Sequence, residues 1–467
     1  MSTVAAVNLW GSRIAAVSLD EGSDIAVFQY DPEFAVSGIQ ISPLVMPLQL
    51  EPYTFPALNY DTFRGLPGLL ADSLPDRYGN ALIDAWLARQ GRTAESFNAI
   101  ERLCYIGRRG MGALEFAPSR GPQETRSRDL EIDALVKLAS EVLADRESLA
   151  GSFVDTKRED ALRDILSVGT SAGGARAKAI IAWNPYTNAV RSGQVDAGPG
   201  FQYWLLKFDG VSGNKDKELE DPQGYGAIEF AYSKMARAAG IAMSECRLLE
   251  ESGRRHFMTR RFDREDDGGK RHMLSLGALA HYDFNQAGAY SYEQAFQVIR
   301  RLGLSMETVE QQFRRMVFNI VARNQDDHVK NIAFLMDRDG SWQLAPAFDV
   351  SYAYQPSGRW TNQHQMSLNG KRDDFTIEDF RKCADAASMK RGRAETIVTD
   401  VLEAVADWPL FASEAKVDEA QAARIQGAHR LVLANRTGAA GPAALQPPRR
   451  RPDVPAVPSS PSPRTAS

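Results

Sequence analysis

Asp326-Asp327-His328-Val329-Lys330-Asn331, followed by Ala345-Pro346-Ala347-Phe348-Asp349, decides the reading of this chain. The stretch offers a carboxylate, a carboxamide five residues later, and another carboxylate beyond an Asp-Gly turn. Phosphoryl transfer uses those three parts. One Asp takes the proton of the nucleophile, while an Asn and a second Asp hold the metal that bridges the phosphates. An acidic pair is ordinarily a solvated turn. Here it lies between Phe318-Asn319-Ile320-Val321-Ala322 and Ile332-Ala333-Phe334-Leu335, and carboxylates held between apolar flanks point to function.

The five-residue Asp-to-Asn step is similar to that of the catalytic loop of protein kinases, where the same two roles are played. Asp349, in Phe348-Asp349-Val350, stands where such enzymes carry Asp-Phe-Gly; without its partners it reads as a strand-end residue. His328 and Lys330 are placed to reach phosphate or to order the loop, and His328 also reads as a structural histidine. A transition-metal site is disfavoured because no second nearby His completes it. Oxygen and amide donors suit Mg²⁺.

Two further features fit this chemistry. The loop Ser167 to Lys178 is rich in small residues, with Gly173, Gly174, Ala175 and Ala177 letting backbone N–H groups approach a phosphate and Arg176 and Lys178 adding charge. It lacks the Gly-Lys-Ser/Thr of a P-loop, and a plain hairpin connection remains the alternative. Lys207 lies inside the apolar run Tyr203-Trp204-Leu205-Leu206-Lys207-Phe208 and is costly to bury unless paired. Glu229, in the apolar helix Ala227 to Tyr232, is the matching acid of a kinase-type Lys–Glu pair; the alternative is an edge-strand lysine that snorkels to water.

Across 467 residues, on the order of two to four folding units are expected. Hydrophobic residues at 43% and charged residues at 25% indicate a substantial core. A net charge of −5 argues against a chain that coats nucleic acid by itself. Cys104, Cys246 and Cys383 are widely spaced, form no metal pair or disulfide framework, and read as buried small hydrophobes in a reducing cytosol. No run approaches the ~18 apolar residues of a membrane span, and Met1-Ser2-Thr3-Val4 opens no secretion signal, so a cytoplasmic location is expected.

Along the chain, Val4 to Leu9 and Ile14 to Leu19 flank Trp10-Gly11 as a hairpin. Helices are expected after Asp76, over Ser96 to Leu103 and from Asp129 to Ala144, with a Pro/Ser/Arg/Gly connector at 118–129. Strands are expected at Ile165–Val168, Ala179–Trp183, Tyr203–Phe208, Cys246–Glu250 and His256–Thr259, and a helix from Gly224 to a C-cap at Gly240. Beyond Asp263 the pattern is helical almost throughout, which implies two lobes and a cleft. From about Thr437 the composition, including Arg449-Arg450-Arg451, predicts a disordered tail with a solvated charge run.

These pieces resemble the HipA-type serine/threonine kinases, the toxin halves of bacterial toxin–antitoxin pairs. The resemblance runs over most of residues 1–435. It rests on Phe63-Arg64-Gly65-Leu66-Pro67-Gly68-Leu69-Leu70-Ala71-Asp72-Ser73-Leu74-Pro75-Asp76, the loop Ser171 to Lys178, Arg261-Phe262-Asp263-Arg264, Asp326 to Asn331, and Pro346-Ala347-Phe348-Asp349, in this order. It implies an α+β, protein-kinase-like bilobal fold: an N-terminal α/β subdomain (1–120), a β-rich N-lobe with the Gly-rich loop (121–262), an all-helical C-lobe with the catalytic loop (263–436) and the tail (437–467). It further implies ATP and Mg²⁺ as cofactors, Asp326 as catalytic base, Asn331 and Asp349 as metal ligands, Lys207 as phosphate anchor, and the loop from Gly173 to Lys178 over the nucleotide. Arg260, Arg261 and Phe262 fall at the adenine hinge, and Asp263 at the ribose. Ser171, or the adjacent Thr170, matches the serine such kinases phosphorylate on themselves to switch off.

The expected function is therefore transfer of the ATP γ-phosphate to Ser or Thr of a translation protein such as an aminoacyl-tRNA synthetase. A HipB-like helix-turn-helix antitoxin is the implied partner, with operator DNA reached through it and no membrane involved. The alternative is a catalytically weak, kinase-like co-repressor. The presence of Lys207, Asp326, Asn331 and Asp349 together leans against that alternative.

Overall fold

In the computed structural model, residues 2–121, 127–144, 164–169, 176–211, 223–265 and 267–433 are described. The first hairpin forms as predicted. β1 (Thr3–Leu9) and β2 (Ser12–Leu19) join through Trp10 and Gly11 at φ of 51° and 85°. Positive φ at both turn positions matches the twist of the two strands. β3 (Val27–Tyr30) and β4 (Leu114–Ala117) complete an antiparallel sheet in the order β3-β2-β1-β4. Alternation along β1 sends Ala5, Val7 and Leu9 into the core. Single turns α1 (Pro32–Ala35), α2 (Tyr60–Phe63) and α3 (Gly68–Ala71) lead to α4 (Arg77–Arg89) and α5 (Ala99–Ile106). Asn98 and Glu101 form a reciprocal cap at the start of α5, which packs on β1 and β4.

α6 (Ile132–Ala144) packs on α4 and precedes a second antiparallel sheet: β5 (Lys178–Trp183), β6 (Val190–Ser192), β7 (Gln202–Lys207), β8 (Cys246–Glu251) and β9 (Arg254–Arg260), in the order β6-β5-β7-β9-β8. Every β5 position is buried. α7 (Tyr225–Ala238) packs on β8 and β9 and ends before Gly240 at φ 79°. α4 joins this sheet's core too: Tyr78, Ala81, Leu82 and Ala85 cluster with Ile181, Trp204 and Leu206.

The remaining helices are α8 (Leu276–Ala280), α9 (Tyr292–Arg301), α10 (Met306–Val321), α11 (Ile377–Ala386), α12 (Arg393–Ala406), α13 (Trp408–Glu414) and α14 (Glu419–Ala428). α10 runs through their middle, burying Val309, Phe313, Met316, Val317, Phe318 and Ile320. The expectation of an all-helical C-lobe is corrected: among the described residues beyond Asp263, β10 (His272–Ser275), β11 (Ala333–Met336) and β12 (Trp342–Leu344) form a small antiparallel sheet, which frames the loop carrying Asp326.

Two local expectations are corrected. Ile165–Val168 is helical rather than extended, a run too short for apolar content to tell the two apart. The helix expected from Asp129 begins at Ile132, because Asp129 instead bridges to Arg191 beside the second sheet. All three cysteines are buried, and burial pushes the Cys104 thiol up to about 11. The expected tail from 437 lies outside the described residues.

Candidate active site

The register of β5 against β7 sets Lys178 directly opposite Lys207. Cross-strand partners share one face of a sheet, and like charges so placed repel unless neutralised. Each lysine has its own acid. Lys207 Nζ donates to Glu229 Oε1 at 2.5 Å and to Asp349 Oδ1 at 2.5 Å. Lys178 Nζ donates to Asp76 Oδ2 at 2.7 Å, while Asp76 Oδ1 caps α4 by accepting from Gly79 N at 2.6 Å. Arg176 adds a third cation, its guanidinium 3.5 Å from the Tyr225 ring centroid and 4.0 Å from Glu229.

Burial pushes Glu229 up despite Lys207 beside it. Asp349 is only partly buried; desolvation pushes its carboxyl up, yet Lys207, with help from Lys178 and His328, outweighs this and holds it below the usual carboxylate range. Lys207 keeps its proton: burial works against the charge, but Asp349 and Glu229 together more than compensate. Asp349 reaches the lysine from a left-handed backbone position, φ 52°, which aspartate tolerates better than most residues. Before it, Ala347 N donates to Ala242 O at 2.8 Å, and Phe348 lies 5.6 Å from Phe262.

The neighbouring loop is tied by its own side chains. Asn331 Nδ2 donates to Asp326 O at 2.7 Å, which commits the amide nitrogen and leaves Oδ1 as the acceptor. Asp326 Oδ1 accepts from Trp360 Nε1 at 2.7 Å, with His328 Nε2 at 3.8 Å. Asp327 has the opposite setting, its side chain 1% exposed against 36% for Asp326. It accepts from Tyr292 OH at 2.5 Å, Gln365 N at 2.7 Å and His364 Nδ1 at 2.8 Å. Burial raises the Asp327 carboxyl, but His364 and these hydrogen bonds prevail and hold it low. Lys330 stands over the Phe284 ring at 5.1 Å and 3.7 Å from Asp72, whose carboxylate accepts from Ser275 N and Oγ.

The structure thus sets Lys178 across the sheet from the Lys207–Glu229–Asp349 cluster, and ties Asp326, His328 and Asn331 into one loop. Thr170, Ser171, Gly173, Gly174 and Ala175 lie outside the described residues; Ala177 is buried at the edge of β5. Asp263 does not reach a ribose. It is fully buried and accepts from Arg261 Nε at 2.9 Å, Arg261 Nη2 at 2.7 Å, Arg264 Nη1 at 2.8 Å and Gly112 N at 2.7 Å. The side chain of Arg261 is spent in the same cluster. The amides of Arg260 and Arg261 bond Glu245 O and Tyr203 O. Asp72, Asp76 and Trp360 carry roles that sequence reasoning missed. A helix is expected after Asp76, but nothing local points to its lysine, 102 residues away.

Family models match residues 5–117, as the HipA N-terminal domain, and residues 170–408, as the HipA-like C-terminal domain. The chain belongs to the HipA family. HipA of Shewanella oneidensis MR-1, solved with HipB and its operator DNA, overlays with a TM-score of 0.64 at 16% identity over 91% of this chain and 94% of that one. The fold is accordingly α+β and protein-kinase-like. Y4mE of Sinorhizobium fredii, whose name offers it only as a candidate kinase, is 26% identical over 126 residues, 25% of this chain and 30% of Y4mE. The Helicobacter pylori proinflammatory kinase CtkA overlays more loosely, with a TM-score of 0.32 at 13% identity over 55% of this chain and 93% of CtkA, too distant to bear on the fold.

In this HipA family member, no group of three or more His, Cys, Asp and Glu that could hold a metal occurs among the described residues. The donors nonetheless fit Mg²⁺, which keeps several waters and takes few protein ligands: the oxygen of Asn331 and a carboxylate oxygen of Asp349 are hard donors. Among the described residues, no helix is long and apolar enough to cross a membrane.

Proposed function

We propose that this HipA family member is a serine/threonine kinase that uses ATP and Mg²⁺ to phosphorylate a translation protein, with an aminoacyl-tRNA synthetase as the type of substrate, in the cytoplasm. The observation that carries the reading is Lys207, one ammonium held between Glu229 and Asp349 on a sheet face it shares with Lys178. Such a lysine can anchor phosphate oxygens while Glu229 fixes its direction. Asp349 and Asn331 would hold the metal. Mg²⁺ and ATP, when bound, supply charge neutralisation and the phosphoryl group.

Asp326 accepts the proton of the incoming hydroxyl, and Lys330 and His328 order its loop. A nucleobase at Arg260 to Phe262 meets carbonyl oxygens or the Phe262 ring, because the amides of Arg260 and Arg261 are already used in the sheet. Autophosphorylation falls on Ser171 or Thr170 and silences the enzyme. A HipB-like helix-turn-helix antitoxin is the partner, as the Shewanella complex suggests. Through it the protein reaches operator DNA, since its own charge of −5 gives no strong attraction to phosphates.

Radiolabelled ATP tests the reading. Label entering the wild-type chain but lost in Asp326→Ala and Asp349→Ala supports it. Equal labelling in all three chains defeats it and leaves the co-repressor role.

A further inference from the structure

The segment that follows Asp349 folds back over the tandem aspartates. Gly358 N donates to Gln355 O at 2.9 Å and Gln355 N to Thr361 O at 3.3 Å, closing residues 355–361 into a loop. Its far end is bolted to Asp327: His364 and Gln365 N both donate to that carboxylate, and Gln365 Nε2 donates to Trp360 O. Within the loop, just before Thr361, Trp360 returns an indole N–H to Asp326 Oδ1 at 2.7 Å. One aspartate anchors the loop, and the loop in turn holds the other aspartate.

We infer that Trp360 is a positioning residue for acceptor activation: its indole N–H pins Oδ1 of Asp326 and leaves Oδ2 as the oxygen that meets the acceptor hydroxyl. The inference rests on the reading of Asp326 as the base. Asn331 fixes only the backbone carbonyl of Asp326, so the carboxylate remains free to turn about its terminal bond unless a side chain holds it. His328, at 3.8 Å, is beyond hydrogen-bond reach. An indole donates one hydrogen bond and accepts none, so it orients the carboxylate without competing for the transferred proton. In the step itself the acceptor O–H bond breaks and its proton passes to Asp326 Oδ2. The acceptor oxygen bonds the γ-phosphorus, and ADP leaves with the electron pair of the bridging bond.

The test compares Trp360→Phe, which keeps a ring and removes the N–H, with Trp360→Ala and Asp326→Ala, all in the full-length chain. Initial rates of label transfer from γ-labelled ATP are measured against ATP concentration. Both tryptophan variants should turn over about tenfold more slowly at saturating ATP, the effect of losing one hydrogen bond to a charged group, with the half-saturating ATP concentration unchanged. Thermal melting of Trp360→Phe should stay close to wild type. If Trp360→Phe matches wild type while Trp360→Ala is slow, the ring only packs and the inference falls. A faster Trp360→Phe would make the indole a block on the base and also overturn it. An Asp326→Ala chain that labels at the wild-type rate instead removes the base assignment, and this inference goes with it.

Discussion

Two buried ion clusters in this molecule are built to opposite rules. Around Asp263, two guanidiniums and one backbone amide saturate a single carboxylate, and its side chain has no exposure. Around Lys207, one ammonium is shared by two carboxylates, and Asp349 keeps 30% of its side-chain surface open. The first cluster has no bond left to give. The second has in Asp349 a carboxylate with open surface that can take another cation. A saturated cluster fixes structure; a shared one can exchange partners when a ligand arrives. Open side-chain surface and the count of committed donors together distinguish the site from the scaffold.

Substitutions at the two clusters should fail in different ways. Asp349→Ala and Asp326→Ala should each lower turnover by about 10²–10⁴-fold with the melting midpoint near wild type, as measured by label transfer and differential scanning fluorimetry. A large fall in melting would place these residues with the scaffold. Asp263→Ala should instead cost about 3–5 kcal/mol in urea unfolding, because two arginines are left buried without their partner. Labelling per folded molecule should persist, and its loss without a stability change would blur the contrast.

Asp76→Ala tests an intermediate case, since Asp76 both caps α4 and neutralises Lys178. It should cost about 2–3 kcal/mol, and adding Lys178→Met should recover part of that loss. Strict additivity in the double variant would show that the pair does not interact.

A smaller effect calibrates both clusters against pH. His272 is buried, its Nε2 2.9 Å from Ile41 O, and burial lowers it from 6.5 to about 4. Its folded form disfavours the proton, so stability is lost as pH falls below 6.5 toward 4. Asp263 and Asp349 are held below the ordinary carboxylate value, so their contributions are full throughout that window and decline only at lower pH. His272→Gln should flatten the loss of unfolding free energy between pH 7 and 5.5 by about 1 kcal/mol. An unchanged slope would assign the acid sensitivity elsewhere.

The parts legible in the sequence were those whose signal is local. A lysine inside an apolar strand, an Asp and Asn five residues apart, and a Trp-Gly turn between alternating strands each declare themselves within a few positions. The parts that escaped depend on distant partners. Asp263 looked available because Gly112, which completes its coordination, lies 151 residues earlier. Trp360 carries no local signal, because its hydrogen bond crosses 34 residues to Asp326. Lys178 was read as a phosphate ligand on charge alone, and the buried acid that compensates it sits in the N-terminal segment.

Helix α4 has a practical corollary. It lies between β3 and β4 of the N-terminal sheet in sequence yet packs into the hydrophobic core of the second sheet, and its capping acid is the counter-ion of a strand lysine. A shortened chain starting after residue 120 would uncover an oily groove and strand a cation beside it, so trimming for crystallisation or drug screening should begin at the opposite terminus.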